Sequence, residues 1–158
     1  MTSRPTGHRP PPRNVAANPC SVQRMHHVGI AVKSLEETVA RYRDLFGLPE
    51  PVVMENKDRG IRAAVMNAGG ANLEFLQPMS EKSPFTQFIV QHGEGIHHIC
   101  LAVEDVAKAR DHLQKKGVKL TNTDPVAGFN GHYVFTDPSS TGGVRIEMSQ
   151  LYPEKSDS

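Results

Sequence analysis

The sequence lacks the features that mark several classes of protein. It has no tryptophan, only two cysteines and a formal net charge of +1 over 158 residues. So small a charge creates no general attraction to nucleic acid or to a membrane surface. No apolar run approaches the roughly 20 residues that a membrane-spanning helix needs. We therefore expect an ordinary soluble domain, with neither nucleic acid nor a membrane as its partner.

The two cysteines, Cys20 and Cys100, are too few to form a disulfide framework. We interpret both as reduced thiols in a cytosol-like compartment, and the expected location is the cytoplasm. The apolar neighbours of Cys100 favour a small buried side chain in a strand.

The first 24 residues differ in composition from the rest, because they contain five prolines and several arginines but no acidic residue. Such a segment buries too little apolar surface to offset its chain entropy, so we expect residues 1–24 to be disordered. A transit peptide would place the protein in the mitochondrial matrix instead, although the proline run disfavours the amphipathic helix of such peptides. Residues 153–158 are expected to form a polar tail.

The chain contains an internal repeat. MHHVGIAV at 25–32 and IHHICLAV at 96–103 align when the sequence is shifted by 71 residues, which places His27 on His98. Ser34 and Asp105 follow at equivalent places, and each can cap the helix that the next apolar spacing predicts. Each copy therefore begins with a strand and continues into an amphipathic helix.

Three short strands follow the helix in each copy, separated by clusters of Gly, Pro and Asn or Asp. We expect an α+β fold in which two tandem βαβββ modules form a curved sheet around a metal-binding pocket. The single domain would span residues 25–152, with module one at 25–79, a linker at 80–95 and module two at 96–152. The predicted helices are 35–46, 84–92 and 106–116, and the strands after the module helices are 51–55, 61–67, 72–77, 119–122, 132–136 and 144–149.

Strand alternation selects four candidate metal ligands. His27 and His98 each share a strand face with small residues, whereas the large apolar residues point to the opposite face, under the helix. Glu74 and Glu147 stand inside apolar strands, where a carboxylate is costly unless it is paired or bound to a metal. The first histidine of each pair, His26 or His97, is the weaker candidate, because alternation groups it with bulky residues.

Two imidazoles and two carboxylates suit a divalent metal ion: zinc, manganese, cobalt, nickel or iron. Four protein ligands leave positions open for water or substrate only when the ion has five or six ligands. The sequence therefore predicts an octahedral ion at the axis that relates the two modules.

The motifs HVGIAV, LEFLQP, SPFTQFIVQHGEGIHHICLAV and GGVRIEMSQ resemble the vicinal oxygen chelate (glyoxalase-like) superfamily and, within it, the methylmalonyl-CoA epimerase family. The resemblance covers residues 25–151 and places the metal ligands of the family on His27, Glu74, His98 and Glu147. It implies an isomerase that interconverts (R)- and (S)-methylmalonyl-CoA through a metal-stabilised enolate, with Glu147 as one catalytic base. An acyl-CoA substrate and a homodimer are implied in the same way.

The sequence departs from the epimerase pattern where a second base is usual, because Ala63 stands there. His132, beside a glycine-containing stretch, is a conceivable substitute, although a solvated loop position suits it better. Arg62 and Arg145 could attract a CoA phosphate or a substrate carboxylate, although outward solvated positions are the simpler interpretation.

Four alternative functions stay open. A glyoxalase I-like lyase acting on the thiol adduct of a 2-oxoaldehyde would use the same four ligands, and another isomerase of the superfamily would suit Ala63. A ring-cleaving dioxygenase uses two histidines and one carboxylate, so the extra acid argues against it. A non-enzymatic binding protein of this fold would usually lack the ligands.

Overall fold

The computed structural model describes residues 18–154, which form one sheet of eight strands, three α-helices and a short 3-10 helix. The elements are β1 (Val22–Ala31), α1 (Leu35–Phe46), β2 (Val52–Asn56), β3 (Ile61–Asn67), β4 (Asn72–Pro78), α2 (Pro84–His92), β5 (Gly95–Val103), α3 (Val106–Lys115), β6 (Val126–Ala127), β7 (Gly131–Phe135), the 3-10 helix (Pro138–Ser140) and β8 (Ile146–Leu151).

The strand order β2-β3-β4-β1-β5-β8-β7-β6 reflects the repeat in the sequence. Within each module the first strand pairs in parallel with the last, β1 with β4 and β5 with β8. The two first strands, β1 and β5, pair antiparallel and join the modules at the centre of the sheet. The predicted α+β fold with two tandem modules is therefore confirmed.

The module helices begin and end where their capping residues predict. The Ser34 side chain accepts a hydrogen bond from the backbone N–H of Glu37, and Gly47 ends α1 with a left-handed φ of 65°. The Asp105 side chain accepts the equivalent bond from the N–H of Lys108 at the start of α3. These bonds satisfy backbone donors that the first turn of a helix leaves free.

The apolar residues form a core on both faces of the sheet. Phe75 is fully buried and packs with Leu35 and Met66 under α1, and a matching cluster around Val134 and Met148 lies under α3. A third cluster, which includes Phe85 of α2, lies on the opposite face of β1, β3 and β4. The helices α1 and α3 thus cover one face of the sheet, and the cavity lies on the other face.

The predicted strand at 119–122 is wrong. Leu120 makes only an isolated bridge to Thr136, and the outermost strand of module two is the two-residue β6. The side chain of Asn122 donates to the carbonyl of Tyr133 and accepts from the N–H of Phe135. Because this side chain satisfies the backbone groups at the edge of β7, the Asn122 backbone does not pair there.

The predicted start of the domain at residue 25 is also wrong, since β1 already begins at Val22, which pairs with Val103. Cys20, placed in the tail by the sequence, is buried against α3. The exposed side chains of residues 22–25 show no apolar alternation that could reveal the strand. Residues 1–17 and 155–158 lie outside the described part, so the predicted disorder of the first segment and the predicted polar tail at the second stay predictions there.

No helix within residues 18–154 is both long and apolar enough to span a bilayer.

Truncating a core side chain should measure how strongly the helix-covered face stabilises the sheet. Phe75→Ala should lower the free energy of unfolding by about 3–5 kcal/mol, because it removes a buried ring and leaves a cavity. Val90→Ala is the control, since the Val90 side chain lies on the surface of α2 with 74% exposure. Urea unfolding followed by circular dichroism measures both values, and equal losses in the two variants would contradict the assignment of the core.

Candidate metal centre and cavity

The four predicted side chains come together on the four central strands of the sheet. They are His27 of β1, Glu74 of β4, His98 of β5 and Glu147 of β8. Gly29 on β1 lies opposite Glu74 on one side and opposite His98 on the other. Residues directly across a sheet share a face, so Glu74 and His98 project from the same face on either side of a residue without a side chain.

The second module repeats this arrangement with Cys100 in the place of Gly29. Cys100 lies opposite His27 on β1 and opposite Glu147 on β8. Its thiol donates a weak hydrogen bond of 3.5 Å to Glu147 Oε1. The strand registers therefore place the four side chains in two neighbouring rows that a pseudo-twofold axis relates.

The side-chain tips converge at matched distances. His27 Nε2 lies 3.1 Å from Glu74 Oε2, His98 Nε2 lies 3.1 Å from Glu147 Oε2, and the two Nε2 atoms are 3.1 Å apart. All four residues are buried, with exposures of 1%, 4%, 2% and 7% for His27, Glu74, His98 and Glu147. Metal–ligand bonds of about 2.1 Å place neighbouring ligands at right angles about 3 Å apart. The ligand atoms of His27, Glu74 and His98 all lie within 4.8 Å of one another and could hold a divalent ion, and Glu147 adjoins this group through its contact with His98.

Hydrogen bonds and charges compensate the burial of the His27–Glu74 pair. Burial by itself lowers the pKa of His27, but the hydrogen bond to Glu74 and the carboxylate charges outweigh it and raise that pKa. Burial would raise the pKa of Glu74, and the contact with His27 reverses the effect and lowers it. The side chain of Asn130 adds a bond of 2.9 Å to Glu74 Oε1. The pair is thus stable as an ionised carboxylate beside an imidazole.

Gly29 is needed because the ring of His98 lies directly over it. A Cβ atom at this position would lie 2.1 Å from His98 Cε1 and 2.6 Å from His98 Nε2. No side chain tolerates such a contact without moving one of the two strands or the ring. The small residue at position 29 thus leaves a space that the ring of His98 fills.

A cavity of about 320 Å3 opens beside the four side chains, within the size range of small-molecule sites. Its walls include Ile61 from module one, Phe85 from helix α2 of the linker, and Tyr133 and Phe135 from module two. An apolar cavity with a few converging polar groups is the usual form of a site for a small organic ligand.

Two arginines line this cavity: Arg145, for which the sequence favoured an outward solvated position, and Arg59, which the sequence analysis missed. The guanidinium of Arg145 lies 5.9 Å from the ring centre of Phe135, and that of Arg59 lies 5.8 Å from the ring centre of Tyr133. Arg62 instead makes an ion pair of 2.9 Å with Glu36 outside the cavity. Arg59 escaped the sequence analysis because it belongs to a turn rather than to a strand with readable alternation.

Neither position considered for a second base, 63 or 132, places an acidic side chain in the cavity. Ala63 is fully buried in the apolar cluster beside α2. His132 is exposed on β7, where its ring packs edge-on against Tyr152, and it is not among the described residues that line the cavity. The interpretation of His132 as a solvated residue agrees with this placement.

The grouping of His97 with the bulky residues of the other face is wrong. His97 lines the cavity beside His98, and its ring packs edge-on against Phe85 and Phe88. Burial, followed by the charges of His98 and Arg145, lowers the pKa of His97 to about 3. The strand alternation fails here because the pairing of β1 with β5 shifts register around this residue.

Comparison with known proteins identifies the superfamily. A sequence model of the glyoxalase/bleomycin resistance protein/dioxygenase superfamily matches residues 26–136, most of the described chain. The chain belongs to this superfamily. It is 33% identical, over 82% of its length and 99% of the relative, to an ethylmalonyl-CoA/methylmalonyl-CoA epimerase of Cereibacter sphaeroides.

Solved structures of the superfamily superpose on most of the chain. Methylmalonyl-CoA epimerase from Mycobacterium tuberculosis has a TM-score of 0.78 and 28% identity, covering 87% of this chain and 93% of the other. A variant of the Streptomyces coelicolor methylmalonyl-CoA epimerase, in complex with 2-nitronate-propionyl-CoA, has a TM-score of 0.76 and 29% identity, covering 84% and 100%. The fold is therefore that of the epimerases of this superfamily.

The contact between Gly29 and His98 predicts a strong effect of a single methyl group. Gly29→Ala should lower the free energy of unfolding by about 1–3 kcal/mol, because the added Cβ overpacks the space under the His98 ring. Gly70→Ala is a matched control, since a Cβ added there meets nothing within 4 Å. Urea unfolding of both variants provides the measurement, and equal stabilities would contradict the placement of the ring.

Proposed function

We propose that the protein is a metal-dependent acyl-CoA epimerase that interconverts (R)- and (S)-methylmalonyl-CoA. The observation that carries the proposal is the clustering of His27, Glu74 and His98 within 4.8 Å of one another beside a cavity, with Glu147 3.1 Å from His98. The relatives and solved neighbours named as methylmalonyl-CoA epimerases support the substrate class. The name of the Cereibacter relative also includes ethylmalonyl-CoA, so the proposed substrate class extends to malonyl-CoA with an ethyl group in place of the methyl group.

His27, Glu74, His98 and Glu147 are the residues that would hold a divalent ion, with cobalt, manganese, nickel, zinc and iron as candidates. When bound, the ion would supply Lewis acidity that stabilises the negative charge developing on the substrate as the C2 proton leaves. The four side chains are buried, and the lower dielectric around them strengthens each electrostatic contact within the site.

Glu147 is the proposed catalytic base. Glu74 is held at both oxygens, by His27 at Oε2 and by the amide of Asn130 at Oε1. The only hydrogen-bond partner of Glu147 Oε1 among the described residues is the thiol of Cys100, a weak donor. Glu147 Oε1 is therefore the carboxylate oxygen that can accept the C2 proton of the substrate and return it.

The apolar cluster that contains Ala63 and contributes Ile61, Leu76 and Phe85 to the cavity lining holds no carboxylate. Inversion requires that a proton leave one face of C2 and arrive on the other, and only one face meets Glu147. We therefore expect proton exchange at C2 to be faster than inversion, since delivery to the second face depends on a weaker donor or on water.

The reaction is tested by incubating metal-loaded protein with (S)-methylmalonyl-CoA in deuterium oxide. Proton NMR follows the loss of the C2 proton, and a chiral assay of the product follows inversion. The absence of both would refute the epimerase. Turnover of methylglyoxal with glutathione in a parallel assay, without exchange at C2, would favour the glyoxalase I-like lyase instead.

Glu147→Gln should lower the exchange rate by about 100-fold or more, because an amide cannot accept the proton. The amide oxygen can still act as a metal ligand, so elemental analysis should find metal in the variant. Glu74→Gln is the matched control and should retain more activity, because Glu74 is proposed as a ligand only. Full exchange activity in the Glu147 variant would exclude it as the base.

Arg59 and Arg145 are proposed to bind the anionic groups of the acyl-CoA, because they line the cavity and make no ion pair among the described residues. Arg145→Met should raise KM by about 10-fold or more, the loss of one charge-assisted hydrogen bond, while kcat changes less. Arg62→Met is the control, because Arg62 pairs with Glu36 outside the cavity and its loss should leave KM unchanged. Equal KM values for all three proteins would contradict the assignment.

A homodimer and a cytoplasmic location are further proposals, which rest on the resemblance to the epimerases and on the two reduced cysteines. Sedimentation of the purified full chain tests the first, and localisation of the tagged full chain tests the second.

A further inference from the structure

Each doubled histidine lies at a β-bulge. In the pairing of β1 with β5, Met25 and His27 face the consecutive residues Leu101 and Cys100, so His26 is the extra residue of β1. Gly29 and Ile30 face His98 and Ile96, so His97 is the extra residue of β5. The bulges therefore occupy the same place in the two modules.

The bulge brings the rings of the two neighbouring histidines into contact. His26 Nδ1 lies 2.8 Å from His27 Nδ1, and His97 Nδ1 lies 2.9 Å from His98 Nδ1. Successive side chains of a regular strand point to opposite faces, so these contacts could not form without the extra residue. Because the same pair of atoms makes this contact in both modules, we interpret it as part of the site and not as a local irregularity of one strand.

We propose that His26 and His97 are positioning residues that accept a hydrogen bond from Nδ1 of His27 and His98 and so direct the Nε2 atom of each ligand to the metal. The inference rests on the metal centre of the proposed function. It assigns a role to the two histidines of the motif that do not reach the centre themselves.

The direction of the hydrogen bond follows from the chemistry of imidazole. A neutral imidazole carries one N–H, and the nitrogen that binds a metal must offer its lone pair. His27 and His98 turn Nε2 towards the two carboxylates, so each carries its proton on Nδ1 when a metal is bound. The facing Nδ1 atom of His26 or His97 must then be the acceptor.

The surroundings of the two acceptors differ in a way that helps the test. The ring of His97 packs against the rings of Phe85, Phe88 and Phe135, with centroids 4.8, 4.9 and 5.8 Å away, and it also lines the cavity. His26 is not among the described residues that line the cavity. A change at His26 thus affects the metal through His27 alone, whereas a change at His97 could also disturb substrate binding.

The experiment compares two substitutions at each position in the full chain. Asparagine places an amide oxygen near the position of Nδ1 and keeps the acceptor, whereas leucine keeps similar bulk without one. His26→Leu and His97→Leu should each weaken Zn2+ affinity by about 10–100-fold, the usual effect of losing a hydrogen-bond partner of a metal ligand. The affinities of His26→Asn and His97→Asn should stay within about threefold of wild type. Competition with a chromophoric chelator measures the affinities.

A second measurement reads the hydrogen bond directly. Long-range 1H–15N correlation spectra of the zinc-loaded wild-type protein should show the protons of His27 and His98 on Nδ1 and a proton-free Nδ1 on His26 and His97. Thermal unfolding of the metal-free variants checks that the leucine variants are folded. Should a leucine variant not fold, the wild-type spectrum decides the matter alone.

The proposal is overturned if folded leucine variants bind Zn2+ as tightly as wild type, if the asparagine and leucine variants weaken binding equally, or if the spectra place the proton on Nδ1 of His26 or His97. It is also overturned if the wild-type protein binds no divalent ion. Tight Zn2+ binding that depends on the acceptors, without exchange at C2 of methylmalonyl-CoA, would refute the epimerase and leave this inference intact.

Discussion

The structure depends on the burial of two carboxylates against two imidazoles at the centre of one sheet. Glu74 and Glu147 would each be costly in this place without His27 and His98, because a buried charge without a partner loses its hydration and gains nothing. The two modules also support each other here, since Asn130 of module two donates a hydrogen bond to Glu74 of module one and the two Nε2 atoms meet across the junction of β1 with β5. The contacts that join the two modules are therefore the same contacts that form the site.

Much of this arrangement could be predicted from the sequence, because the repeat and the alternation act over short distances. His27 and His98 are separated by the length of the repeat, and Glu74 and Glu147 are acids inside apolar strands. These two patterns were enough to predict that the four residues lie close together. The caps at Ser34 and Asp105 fixed the helix starts in the same local way. Such signals survive without an alignment because each depends on neighbours along the chain.

What the sequence could not show depends on contacts between distant strands. The bulges at His26 and His97 arise from pairing between β1 and β5, and alternation within one strand cannot reveal an extra residue. Arg59 reaches the cavity from a turn, and Asn122 replaces backbone pairing with its side chain. In each case a contact between distant parts of the chain gives a local structure that the neighbouring sequence does not predict.

The way the ligands are divided has a consequence for the origin of the chain. Each module supplies one histidine and one glutamate from strands that pair in parallel within it, β1 with β4 and β5 with β8. A half-length ancestor that associated with a copy of itself through its first strand would have assembled the same four groups. Duplication and fusion would then have freed the two halves to diverge, as Gly29 and Cys100 at one shared sheet position have done.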